Sequence, residues 1–320
     1  MAQTVSIKPE LLRWAIDRSG LAEEELRADA RLKKLDEWLS GDRKPTLRQL
    51  ELFAGKTMTP LGYLFLDTPP EEPLPIPDFR TRGDAPIGRP SPNLIETIHT
   101  MQRRQAWMRE YLIEEGQAPL EFVGSGRNLR NVVSLAARMR NTLGLNVDWA
   151  EQHGTWEDAR RTLRNSAERI GVLVPTAGVV GLNTRRQLDP EEFRGFVLCD
   201  EYAPLIFVNG ADSKSAQMFT MAHELAHLWV GRGGLFNLIQ TMPHDDATEQ
   251  SCNKTAAEFL VPGHKLRERW DGLKQTRNPF ERIARSFKVS PVAGARRALD
   301  LGLISRKRFF DFYAEEMAEF

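Results

Sequence analysis

Met218-Phe219-Thr220-Met221-Ala222-His223-Glu224-Leu225-Ala226-His227-Leu228-Trp229-Val230-Gly231 is the stretch on which the reading of this chain turns. No Pro or Gly interrupts Ala216 to Val230. Asp212 or Ser213 can cap the start, and Gly231, Gly233 and Gly234 stop the run, so it reads as a helix. Residues four apart share a helix face, so His223 and His227 can present imidazole nitrogens to one ion. Met218, Met221, Leu225 and Leu228 fall on the opposite face and root the helix in a core. Glu224, offset by about 100° from His223, cannot complete the ligand set from that face but can reach a water held by the ion. Two ligands, an open position and a base beside water are what a zinc hydrolase needs.

A third ligand is sought downstream. The segment Glu249 to Pro262 is a second helical pattern, ended by Pro262-Gly263. Glu249 and Asn253 lie one turn apart, so Glu249 can bind metal while Asn253 fixes a ligand from behind. Competing donors are Cys252, three residues from Glu249, and Glu258, expected on another face where it meets solvent or caps a neighbour. His244, Asp245 and Asp246 read as a polar loop between the two helices.

These residues resemble the ImmA/IrrE family of zinc metallopeptidases. The resemblance rests on His223 to His227, the Glu249-x-x-Cys252-Asn253 segment, the closing Phe259-Leu260-Val261-Pro262, and the hairpin Gly195-Phe196-Val197 with Pro204 to Asn209. It implies that His223, His227 and Glu249 bind Zn2+ and that Glu224 is the catalytic base of an endopeptidase. It also implies a protein substrate, a helix-turn-helix transcriptional repressor whose cleavage switches on phage, mobile-element or stress genes. The alternative is a DNA-binding regulator, or an antitoxin partnered with a toxin, whose zinc site is structural or vestigial.

Composition narrows the class. The chain has 320 residues, 41% hydrophobic and 28% charged, ordinary for a globular protein of two or three domains. No apolar run approaches ~18 residues and the N-terminus lacks a signal pattern, so neither a membrane span nor secretion is expected. Two cysteines, Cys199 and Cys252, without short spacing, point to a reduced, cytoplasmic setting. A formal net charge of zero gives no global attraction to nucleic acid, so such binding must be local.

The fold class expected is α+β and mainly helical. Residues 1–67 read as four or five short helices and resemble an XRE-type helix-turn-helix domain at Gly20-Leu21, Glu24-Glu25-Leu26, Gly41 and Pro45. Leu32, Leu35 and Leu39 predict continuous helix between those glycines. Arg31, Lys33, Lys34, Arg43 and Lys44 are the candidate DNA contacts there. Residues 68–92 are a Pro-rich linker, with Ile76 and Phe79 as apolar docking points, and 93–127 a helical connector carrying an amphipathic helix from Asn93 to Glu115. Residues 128–263 form the peptidase domain, with strands at Val172–Val174, Phe196–Cys199 and Leu205–Val208 predicting a three-stranded antiparallel sheet before the metal helix. Residues 264–320 are basic and helical. Ile283 to Pro291, leading into Ala295 to Ile304, resembles a winged helix-turn-helix, with Arg296 and Arg297 as candidate DNA contacts.

Overall fold

A computed structural model describes residues 4–76, 81–82, 85–86, 89–127, 131–236 and 247–318. Phe79 and the loop residues His244, Asp245 and Asp246 lie outside the described residues. Chain contacts divide the protein into two compact units: Met1–Pro75 with Ile87–His99, and Ile76–Pro86 with Thr100–Phe320.

The first unit is helical. Helices α1 (Pro9–Ser19), α2 (Glu23–Ala28), α3 (Leu35–Ser40) and α4 (Leu47–Lys56) are followed by a 3₁₀ turn at Leu61–Phe65. Leu11, Leu12, Trp38, Leu50 and Phe53 fill its core. Pro9 opens α1, where a missing N–H costs nothing, and Gly20 closes it in the left-handed region. Thr46 and Gln49 form a reciprocal capping box at the start of α4. The continuous helix expected through Leu32 and Leu35 is broken. Asp29 adopts an extended conformation, and its Oδ1 accepts the Arg31 backbone N–H at 3.0 Å, a local turn that competes with helix. Leu32 and Leu35 are buried all the same, so their spacing reports a shared core rather than one helix. Within the Pro-rich segment, Glu72 is tied to α1 by an ion pair with the buried Arg18, whose Nη1 also donates to the Met58 carbonyl.

Strands β1 (Thr81–Arg82) and β2 (Ala85–Pro86) pair antiparallel. Helix α5 (Pro92–Glu114) follows. On one face of this helix Met101 is buried, Met108 and Leu112 are half-buried, and the Gln105 amide donates to the Leu198 and Ala203 carbonyls.

The second unit is mixed. Helices α6 (Val132–Leu143) and α7 (Trp156–Arg169) precede the strands β3 (Thr176–Ala177), β4 (Val179–Val180), β5 (Asn183–Gln187), β6 (Gly195–Leu198) and β7 (Leu205–Asn209). Then come α8 (Lys214–Val230), β8 (Gly234–Phe236) and α9 (Ala247–Leu260). The main sheet has the order β3-β7-β6-β8 among the described residues. The hairpin β6–β7 is antiparallel, with Phe196 opposite Phe207, as expected from sequence. Two features differ from the three-stranded antiparallel sheet. The run from Leu173 to Ala177 lies parallel to β7, and β8, downstream of the metal helix, adds a further antiparallel edge against β6. With β4, β5 and β6 between them in the chain, β3 and β7 run the same way, and Gly178 and Gly210 let the two segments touch, a Cβ at Gly178 falling 3.0 Å from Ala211 N.

Helices α10 (Gly263–Leu273), α11 (Pro279–Phe287), α12 (Pro291–Asp300) and α13 (Arg306–Ala318) complete the chain. Phe280, Ile283, Phe287, Ala295, Ala298 and Phe309 belong to the same hydrophobic cluster as Met218, Met221, Leu225 and Leu228 of α8. The basic C-terminal stretch therefore contributes to the core that holds the metal helix. No described helix is long and apolar enough to cross a membrane.

Candidate metal centre

Helix α8 begins where Ser213 Oγ accepts the Ala216 N–H at 3.3 Å and ends at Gly231, with φ 74°. The glycine turn returns two amide N–H groups, of Gly231 and Arg232, to the His227 carbonyl at 2.8 and 3.1 Å. A strap from far upstream finishes the helix. Gly124 N–H donates to Leu228 O at 2.8 Å and Gly126 N–H to Trp229 O at 2.7 Å. Only glycines fit this crossing: a Cβ on Gly231 would stand 2.9 Å from Gly124 Cα. Packed against β6, β7, α7 and α9, α8 is buried on nearly every side.

His223 and His227 are fully inside, and their Nε2 atoms lie 2.9 Å apart. Helix α9 brings Glu249 to the same point, Oε1 at 3.0 Å from His227 Nε2 and Oε2 at 3.3 Å from His223 Nε2. The three donors fall within 4.8 Å of one another, a spacing that bonds of ~2.0–2.2 Å to one ion require. Two imidazoles and one carboxylate form a common catalytic zinc set. Burial pushes the Glu249 carboxyl upward, but hydrogen bonds from His223 and His227 outweigh it and bring the value to about 2. Burial lowers His223, which favours its neutral imidazole beside the anionic Glu249 carboxylate, the forms in which these two groups are ligands. Asn253, one turn along α9 from Glu249, exerts a small influence on His223 that favours the charged ring.

Glu224 stands apart in this group. It is wholly buried, and neither carboxylate oxygen has a hydrogen-bond partner among the described residues. Burial raises its pKa well above the ordinary carboxylate range, and the nearby Glu249 charge adds to the effect. A buried carboxyl left unsatisfied is costly, and its persistence calls for a role that structure alone does not supply. Gly195, at the start of β6, gives it room. A Cβ there would lie 2.5 Å from Thr220 Cγ2, 2.8 Å from the Phe207 carbonyl and 3.5 Å from Glu224 Oε1. By sequence Gly195 belongs only to a hairpin. A glycine inside an apolar strand signals such close approach.

The remaining candidates separate clearly. Cys252 packs in the hydrophobic core and supplies no donor to the cluster. Glu258 does not face solvent; its carboxylate accepts the Gly263 N–H at 3.2 Å, capping α10, and is ion-paired with Arg297. Arg297, expected at a DNA-facing surface, is instead turned inward onto Glu258. Its guanidinium is buried, donating also to the Val261 carbonyl at 3.0 Å, because the side chain reaches from α12 to the end of α9. Arg296, on the other face, pairs with Asp300 at 3.0 Å. In the first unit Arg31 is held by Asp29 at 2.8 Å and Arg43 by Glu37 at 3.0 Å, while Lys33 and Lys44 are exposed and Lys34 is half-buried.

Residues 167–299 match the family model Peptidase_M78, described as the IrrE N-terminal-like domain. The match spans β3 to α12, including every residue of the metal centre, and supports a metallopeptidase of the ImmA/IrrE type for this segment. No curated protein matches the chain.

Proposed function

We propose that the protein is a zinc-dependent endopeptidase of the cytoplasm whose substrate is a helix-turn-helix transcriptional repressor. The observation that carries the peptidase reading is the buried Glu224, without a hydrogen-bond partner among the described residues, beside a His₂Glu donor set. His223, His227 and Glu249 would hold the ion, which when bound supplies Lewis acidity toward a carbonyl and lowers the pKa of water toward ~7. Glu224 accepts the proton of the attacking water at a carboxylate oxygen and delivers it to the nitrogen of the departing amine. Asn253 and the packing of α8 keep the rings in place while this happens.

The repressor substrate follows from the family resemblance and is tested directly. Incubating the zinc-loaded protein with a helix-turn-helix repressor encoded beside it should yield two fragments, and Glu224→Gln should leave the repressor intact. Cleavage by the Glu224→Gln protein at the wild-type rate would remove the assignment. The regulator reading gives Glu224 no task, and it has lost Arg297 to the core. Salt-dependent gel shifts with Arg31, Lys33, Lys34, Arg43, Lys44 and Arg296 changed to Ala measure what DNA affinity the chain has.

A further inference from the structure

Away from the metal centre, the outer part of α5 and the extended run Gly171–Pro175 enclose an open groove of about 810 Å³. Its walls are apolar: Trp107, Met108 and Leu112 on one side, Leu173, Pro175 and Leu205 on the other. Trp107 is 63% exposed and stacks on Tyr111, itself 46% exposed, with centroids 5.8 Å apart and planes within 6°. A stacked pair of aromatics in water, continuous with an apolar groove, marks an interaction surface rather than a chance exposed residue. Two cations stand at its edge. Arg103 and Arg104 are exposed, and neither forms an ion pair with a carboxylate among the described residues, in contrast to Arg164, which Glu168 neutralises at 2.8 Å. Arg103 is steered by a 3.1 Å hydrogen bond to Thr100 Oγ1.

Length decides the class of occupant. From Thr100 to Leu112 the helix wall runs about 18 Å at ~1.5 Å per residue. An extended chain at ~3.3 Å per residue covers that distance with five or six residues. A compact metabolite would leave most of the wall wet. We infer that this groove docks an extended peptide segment with apolar side chains along its length and a carboxylate at the end that meets Arg103 and Arg104. The binding needs neither the metal nor Glu224, so it stands apart from the peptidase reading.

Panning the immobilised full-length chain with a phage library of random linear twelve-residue peptides tests this. The wild type should enrich apolar sequences containing Asp or Glu. The double variant Arg103→Glu/Arg104→Glu, at exposed positions and checked for an unchanged melting temperature, should lose that enrichment at least about tenfold and select Lys- or Arg-containing apolar sequences instead. Trp107→Ala should lose enrichment of both kinds. Identical selections on wild type and double variant, or no enriched family on either, would overturn the proposal. So would saturable one-to-one binding of dodecanoate that is lost in the double variant while no peptide is enriched, since the groove would then belong to a small amphiphile. A concentration-dependent dimer abolished by Trp107→Ala, with no enriched peptide, would give the surface to a second copy and also overturn it.

Discussion

Helix α9 carries two buried glutamates, Glu249 near its start and Glu258 near its end, and they are kept in opposite ways. Around Glu258 every group is answered. Arg297 pairs with its carboxylate, Gly263 N–H donates to it, and Arg140 donates to the Glu258 and Phe259 carbonyls at 3.0 and 3.1 Å. Around Glu249 the balance is incomplete: two imidazoles and two carboxylates converge, and Glu224 has no donor among the described residues. Both clusters hold ionisable groups in the same core, so burial alone does not identify function. Satisfaction does. A closed set of partners fixes structure, and an open one holds capacity for something that arrives.

The comparison is broken or sharpened by substitution. The largest effect belongs to the open cluster: Glu224→Gln should lower the cleavage rate by ~10²–10⁴-fold, the usual worth of a general base, while zinc content measured by atomic absorption stays at the wild-type level. In the closed cluster, Arg297→Ala should destabilise the fold by ~3–5 kcal/mol in urea titrations, because Glu258 is left buried and unpaired. Replacing both partners, as Arg297→Met with Glu258→Leu, should recover most of that loss; no recovery would mean that the pair does not act as a unit.

Metal affinity separates the two glutamates directly. Glu249→Ala should weaken zinc binding by at least ~10–100-fold in competition with a chromophoric chelator, and Glu258→Ala should not. At Gly195, a methyl group would strike Thr220 and the Phe207 carbonyl, so Gly195→Ala should cost ~1–3 kcal/mol and lower the melting temperature. Arg296→Ala is the smallest change. Its pair with Asp300 is solvent-facing, and stability should move by no more than ~0.5 kcal/mol.

The metal centre was legible because its chemistry is written at one helical spacing. His223 and His227 four apart, with Asp212 or Ser213 at one end and Gly231 at the other, specify both the candidate donors and the helix that presents them. Glu249 was readable for the same reason, Asn253 following one turn behind it. Elsewhere the signal was too short or pointed inward from a distance. Strands β3 and β8 have two and three residues, too few for alternation to show. Leu32, Leu35 and Leu39 keep helical spacing across a turn in which Asp29 accepts the N–H groups of Arg31 and Leu32. Arg297 reads as a surface cation because its partner lies 39 positions away, and no local pattern announces an ion pair of that separation.

The strap over the end of α8 bears on where this protein can be cut. The family match begins at residue 167, yet the amides that finish the metal helix come from Gly124 and Gly126, and Leu135, Met139 and Leu143 of α6 sit in the same hydrophobic cluster as Phe259. A fragment trimmed to residues 167–299 would leave the Leu228 and Trp229 carbonyls without those donors and strip an apolar face from α9. It would also lose Phe309. The stretch shared with relatives is therefore smaller than the piece that must fold together, and an expressed fragment meant to retain zinc should start before Leu120 and run past Phe312.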